Sequence, residues 1–227
     1  MSCRTQGRIM SKRIVVGISG ASGAAYAQRT VQLLLAAGAE VHLVVTPLGQ
    51  RLLHDELAID GIDLAALTGV TTGDDGRVQN VVLHNYRDVG ATIASGSFQH
   101  DGMVIVPCSS NSLSAVATGT SQNLLHRAAA VTLKERRRLV LVHRETPLSL
   151  VDIRNMESAT LAGAIVCPAN PGFYMKPQSL QDLVDFVAGR VLDLLQVPHR
   201  LPLRWGQGAH PSSDNKTHMR DGSDEHA

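Results

Sequence analysis

Aromatic residues are scarce in this chain of 227 residues: Phe, Tyr and Trp together make up 3%, against 44% hydrophobic residues overall. The core must therefore be built from Ala, Val, Ile and Leu, which suits a sheet covered by helices on both faces, whose strands read as unbroken aliphatic runs. Charge of one sign is also lacking. The formal net charge is +1, so no strong field for nucleic acid or an acidic membrane surface is implied. No apolar run approaches the roughly 18 residues of a membrane span, and the first residues lack the apolar core of a secretory signal; a soluble, cytoplasmic chain is expected. Cysteine is sparse. Cys3, Cys108 and Cys167 are an odd set, which points to a reducing compartment rather than a disulfide framework. The ten histidines show neither His-Glu-x-x-His nor Cys-x-x-Cys spacing, so no metal site is expected.

What the chain does have is alternation. Aliphatic runs at Ile14–Ile18, Val41–Val45, Val78–Leu83, Met103–Val106, Leu139–Val142 and Ile165–Cys167 read as strands. Between them, helical spacing predicts helices over Ala24–Ala37, Leu48–Glu56, Ser112–Thr118, Asn123–Glu135, Ser149–Leu161 and Ser179–Leu195. Ser149 with Asp152, and Ser179 with Asp182, have capping-box spacing. Residues 57–77 are weakly patterned. Strands alternating with helices argue a doubly wound parallel sheet, a Rossmann-like (flavodoxin-like) α/β domain over residues 12–205. Residues 1–11 read as a loose extension. Residues 206–227 lose periodicity and read as a disordered tail.

In open α/β sheets, ligands bind beyond the carboxyl ends of the strands. Four such ends carry unusual residues. Gly17-Ile18-Ser19-Gly20-Ala21-Ser22-Gly23 is small enough to let backbone approach a ligand, and the helix after it offers N–H groups to an anion. It is neither a dinucleotide fingerprint nor a Walker loop, and a tight turn without a ligand fits it equally. Pro107-Cys108-Ser109-Ser110-Asn111-Ser112 supplies hydroxyls and an amide at a helix start, suited to phosphate, to a heterocycle edge or simply to capping. Cys108 has no His or Asp arranged to activate it and reads as a buried small hydrophobe, as does Cys167. His143-Arg144-Glu145-Thr146-Pro147 sets a charged pair directly after an aliphatic strand. Glu145 suits a general acid/base and Arg144 a phosphate ligand, or the two form a structural pair. Pro171-Gly172-Phe173-Tyr174 with Arg190 suits a second phosphate, or else a packed Tyr and a solvated Arg.

Taken in order, these pieces resemble the UbiX-type flavin prenyltransferases. The similarity runs from about Lys12 to Gly206 and also takes in Ala94-Ser95-Gly96-Ser97, Ala115-Val116-Ala117-Thr118-Gly119, Asn123-Leu124, Arg127-Ala128-Ala129, Leu133-Lys134-Glu135-Arg136-Arg137 and Pro177-Gln178-Ser179. The resemblance implies that Gly20, Ala21, Ser22 and Thr46 hold FMN, that Ser109, Ser110, Asn111 and Ser112 flank the flavin, and that Arg144 contacts it. It gives Tyr174, Arg190 and Lys134 to the prenyl phosphate, Lys134 acting across a subunit boundary of a homo-oligomer, usually a dodecamer. Glu145 would be the acid/base, with Glu56 a second carboxylate near the phosphate and Ser22 part of the catalytic set. The reaction implied joins a dimethylallyl group from dimethylallyl phosphate to reduced FMN, without metal, and passes prenylated FMN to a UbiD-type decarboxylase. Two departures from the pattern stand out: Val89 stands where some relatives carry an aromatic, and Asn111-Ser112 replaces a small-or-Lys plus Thr pair. Residues 107–112 also resemble the Pro-Ala-Ser-Ala-Asn-Thr motif of FMN-dependent cysteine decarboxylases. A non-catalytic flavin carrier is the remaining alternative.

Overall fold

A computed structural model describes residues 11–201; most of the predicted N-terminal extension and the whole predicted tail lie outside them. Six strands form one parallel sheet in the order β3-β2-β1-β4-β5-β6. They are β1 (Arg13–Ile18), β2 (Glu40–Val45), β3 (Val81–His84), β4 (Gly102–Cys108), β5 (Leu139–His143) and β6 (Ile165–Val166). Helices α1 (Ala24–Ala36), α2 (Pro47–Leu57), α3 (Leu64–Thr68), α4 (Ser110–Thr118), α5 (Leu124–Lys134), α6 (Leu150–Leu161) and α7 (Leu180–Leu194) connect and cover them. The chain winds outward from β1 to β3 and then returns to β4. The carboxyl ends of β1 and β4 therefore border the crevice where the winding reverses, the usual ligand position in such sheets.

The aliphatic runs are buried because both sheet faces are covered. Ile14, Val16 and Ile18 face α1 and α7, where Ala27, Val31, Leu34, Val187 and Val191 meet them. Val15 faces the other side, with Met103, Ile105 and Leu141 against Leu113 of α4 and Leu124, Leu125 and Ala128 of α5. The helices start where side chains can cap them. Thr46, Ser109, Asn123, Ser149 and Ser179 each accept a backbone N–H of the first turn. Both expected capping boxes form.

Three differences from the sequence reading have local causes. Asn80 adopts a left-handed φ of 63°, so the run from Val78 is broken and β3 begins only at Val81, while Val78 is buried outside the strand. Helix α3 lies inside the weakly patterned stretch. Five residues are too few to show periodicity, but Asp63 caps the helix and Gly69 ends it in the left-handed region. Strand β4 continues through Pro107 to Cys108 by a register shift between Ile105 and Cys108, the accommodation that proline needs inside a sheet.

Helix α2 starts against the end of β1 because Gly49 has no side chain. A Cβ there would lie 2.5 Å from the Ile18 carbonyl oxygen and 3.0 Å from its carbon, contacts with backbone that cannot rotate away. Gly49→Ala is expected to lower stability by about 1–3 kcal/mol, measured as a shifted midpoint in urea unfolding. An unchanged midpoint would show that α2 can slide without cost.

Candidate active site

Ser19 directly follows β1, is 1% exposed, and joins the two central strand ends. Its hydroxyl donates to the Pro107 carbonyl at 2.9 Å and accepts the Ser109 N–H at 2.9 Å. Gly20 follows it because a Cβ there would come 2.5 Å from the Leu48 Cβ. Gly23, at φ 123°, turns the chain into α1. The N–H groups expected to be open to an anion at this helix start are already occupied. Glu56, from α2, accepts Gly23 N–H at 2.9 and 3.2 Å and Ala24 N–H at 2.7 Å. A protein carboxylate thus complements the positive end of the helix. The Thr46 hydroxyl is also engaged, accepting Gly49 N–H at 3.0 Å and facing the Ile18 carbonyl at 3.3 Å.

Across the crevice, the α4 start carries a line of hydroxyls. Ser109 Oγ lies 3.3 Å from both Ser19 Oγ and Ser112 Oγ, and Ser112 Oγ lies 3.4 Å from Nε2 of His126. Ser112 and His126 are each 2% exposed, and the His126 Nδ1 is buried without a hydrogen-bond partner. Burial pushes the His126 pKa down. On the same turn Ser110 is half-buried and Asn111 is exposed. Cys108 is fully buried, and burial pushes its thiol up to about 12, which leaves it protonated and inert. The same effect raises Cys167, opposed by the charge of Arg190.

At the end of β5, His143 turns inward, its Nδ1 3.0 Å from the Cys108 carbonyl. The next two side chains part company. Arg144 reaches back across the crevice, its Nε donating to the Ser22 carbonyl at 3.2 Å. Glu145 is exposed, accepting its own Thr146 N–H at 3.2 Å and the Ser110 hydroxyl at 3.4 Å. Each charge has its own partner, so the structural Arg–Glu pair is replaced by two links that frame one opening.

Tyr174 sits in a 3-10 turn, Phe173–Met175. Its ring meets Phe186 of α7 edge-on at 5.8 Å between centroids. Arg190 lies on α7 one turn after Phe186 and is exposed. Lys134 is not with this group. It ends α5 at the amino edge of the sheet, its Nζ 3.3 Å from Glu135. Arg137 anchors that edge by donating to the carbonyls of Gly96 at 2.8 Å and Phe98 at 2.6 Å. Within one subunit, then, the structure gathers Gly20–Ser22, Glu56, Ser109–Ser112, Arg144 and Glu145 at the carboxyl edge and leaves Lys134 at the opposite one.

The flavoprotein family model matches residues 3–192. The flavin prenyltransferase UbiX of Halalkalibacterium halodurans is 46% identical over 193 residues, covering 85% of this chain and 92% of that protein. The chain belongs to the UbiX-type flavin prenyltransferases. The crystal structure of AnUbiX (PadA1) in complex with FMN and dimethylallyl pyrophosphate superposes with a TM-score of 0.74 at 41% identity, covering 82% of this chain and 93% of that one. A dodecameric FMN-dependent UbiX-like decarboxylase from Escherichia coli O157:H7 gives 0.75 at 37% identity, with 85% and 98% covered.

In this flavin prenyltransferase, three residues at the site carry no sequence signal of their role. Ser19 was read as part of a small-residue loop, yet it is the tie between β1 and β4. His126 was hidden in the apolar pattern of α5. Asp152 was read only as a cap, although Ser110 also reaches it from the site. Hydrogen bonds from the Ser149 hydroxyl, the Ser110 hydroxyl and the Ser149 N–H lower the Asp152 carboxyl to about 2. Because the folded-state pKa lies below the ordinary carboxylate value, the stabilisation is fully present above about pH 4 and is lost as pH falls toward 2. Asp152→Asn should therefore lower stability at pH 7 and flatten the stability profile between about pH 4 and 2. Urea midpoints measured across that range check it; a parallel wild-type curve would mean Asp152 is not held ionised.

Proposed function

We propose that this chain joins the dimethylallyl group of dimethylallyl phosphate to reduced FMN and releases phosphate. The observation that carries the reading is the convergence of Arg144, Glu145 and the Ser109–Ser112 turn on the β1–β4 crevice, in a chain 46% identical to a flavin prenyltransferase. FMN is here a substrate, and the crevice suits it. One rim is a run of hydroxyls, the other is small-residue backbone at Gly20–Ser22, to which the Arg144 guanidinium donates.

Two bonds are made. A bond from the flavin's central-ring nitrogen to the first prenyl carbon forms as the carbon–phosphate oxygen bond breaks. The phosphate leaves with the electron pair, and the nitrogen loses its proton. Ring closure then bonds the far alkene carbon to the neighbouring aromatic carbon. One proton is added to the alkene and one is lost from the ring, so this step is proton-neutral. Glu145, exposed at the crevice and restrained only by Ser110 and its own backbone, is suited to carry that proton. Tyr174 and Arg190 suit the leaving phosphate, whose growing charge a fixed cation stabilises. The product, prenylated FMN, is suited to use as a cofactor by a UbiD-type decarboxylase. The scarcity of cysteine supports a cytoplasmic setting, and no helix of the described residues is long and apolar enough to cross a membrane.

Mass analysis of the flavin after anaerobic incubation with reduced FMN and dimethylallyl phosphate tests the activity; flavin recovered unchanged refutes it. Glu145→Gln keeps size and hydrogen bonding but not basicity. It should fold, bind FMN and form the four-ring flavin at least about tenfold more slowly, the low edge of general acid–base effects; single-turnover rates equal to wild type would return Glu145 to a structural role. Lys134 enters through assembly. Its place at the far edge supports a site completed by a neighbouring subunit, as the dodecameric relative allows. Lys134→Ala should weaken use of the prenyl phosphate while FMN still binds, and a fully active monomer by light scattering would contradict the composite site.

A further inference from the structure

The sheet order here is the one that elsewhere holds dinucleotides, with the pyrophosphate on the start of the helix after β1 and the ribose contacted from the end of β2. This chain keeps much of that frame. A cavity of about 370 Å³ opens at the carboxyl ends of β2 and β3, lined by Val45, Pro47, Gln50, Leu83, His84 and Tyr86. That volume falls in the range of small-ligand sites. What the chain does not offer is the pyrophosphate position, because Glu56 occupies it.

We propose that Glu56 is a specificity-determining residue that confines the flavin site to a mononucleotide. Its carboxylate takes both N–H groups at the start of α1, Gly23 at 2.9 and 3.2 Å and Ala24 at 2.7 Å. A pyrophosphate placed there must break three charge-assisted hydrogen bonds and meet a like charge. The loop has little room to turn away. Gly23 is fixed at φ 123°, and the Ser22 carbonyl is held from the opposite flank by Arg144 at 3.2 Å. Discrimination against FAD and other dinucleotides thus comes from an internal anion, and the absent glycine fingerprint is not its only source. The inference rests on the reading of FMN as the flavin substrate.

A helix cap with no part in selection would also make these bonds, so the test must read selectivity rather than stability. FMN and FAD are titrated separately into the full-length wild type, Glu56→Gln and Glu56→Ala, with thermal melts to verify folding. Glutamine keeps one acceptor oxygen and the side-chain length but removes the charge. The wild type is expected to prefer FMN. The FMN-to-FAD affinity ratio should fall at least about tenfold in both variants, through tighter FAD binding, as removal of a like-charge clash predicts. An unchanged ratio in folded variants, equal loss of both affinities, or a wild type without preference would each overturn the proposal. The readout is binding and not turnover. A chain that selects FMN but forms no prenylated flavin would fault the activity and not the selection by Glu56.

Discussion

A proline at the end of a central strand poses the problem that organises this site. Pro107 has no N–H to give the sheet, and β4 shifts register around it. The proline's carbonyl is instead bound from the neighbouring strand end. Ser19 donates both its N–H, at 3.3 Å, and its hydroxyl, at 2.9 Å, to the Pro107 carbonyl, and its oxygen accepts Ser109 N–H. One small side chain thereby locks the loop after β1 to the loop after β4, where the winding of the sheet reverses. The Gly20–Gly23 turn and the α4 hydroxyl line keep their spacing because Ser19 holds both. It is almost wholly buried, and an unpaired hydroxyl there would be costly, so the bridge is satisfied on both sides.

The architecture was legible because its signals are periodic. A sheet buried on two faces must be aliphatic throughout, and Ile14–Ile18, Val41–Val45 and Leu139–Val142 announce it without needing context. Caps were legible for the same reason: Ser149 with Asp152 and Ser179 with Asp182 are local. The short helix α3 was not, since its stability derives from burying Leu67 and not from a pattern that five residues can show. Nor was the boundary of β3, set by the backbone angle of Asn80.

At the site, residue types were legible and partners were not. Arg144 and Glu145 are adjacent in sequence, and a structural pair is one reading of that adjacency. In the fold they serve opposite rims, because side chains leaving a strand end point to different sides. Glu56 was placed near a phosphate by resemblance alone. Only the fold brings α2 back against the start of α1, where the Glu56 carboxylate takes the first N–H groups of the helix. Lys134 sits at the far edge because α5 runs antiparallel to the strands, so its last residue must lie opposite the crevice.

These placements divide the charge around one turn of backbone. Glu56 presents a negative group to the start of α1, and Arg144 presents a positive one to the carbonyl of Ser22 on the other flank. The negative group lies on the α2 side of the turn and the positive one on the β5 side. The hydroxyl rim is neutral: the thiol beneath it is kept protonated by burial, and burial also lowers the pKa of the histidine behind it. In the proposed reading, a planar, weakly charged ring lies between Ser109–Ser112 and the small-residue loop, with charged groups at its edge. Glu145, the acid/base residue of the proposed reaction, stands at that edge, exposed and held by a long hydrogen bond from Ser110 and one from the Thr146 N–H. A carboxylate so lightly restrained can exchange a proton with a substrate without first breaking a buried network, which is what a proton-neutral ring closure asks of it.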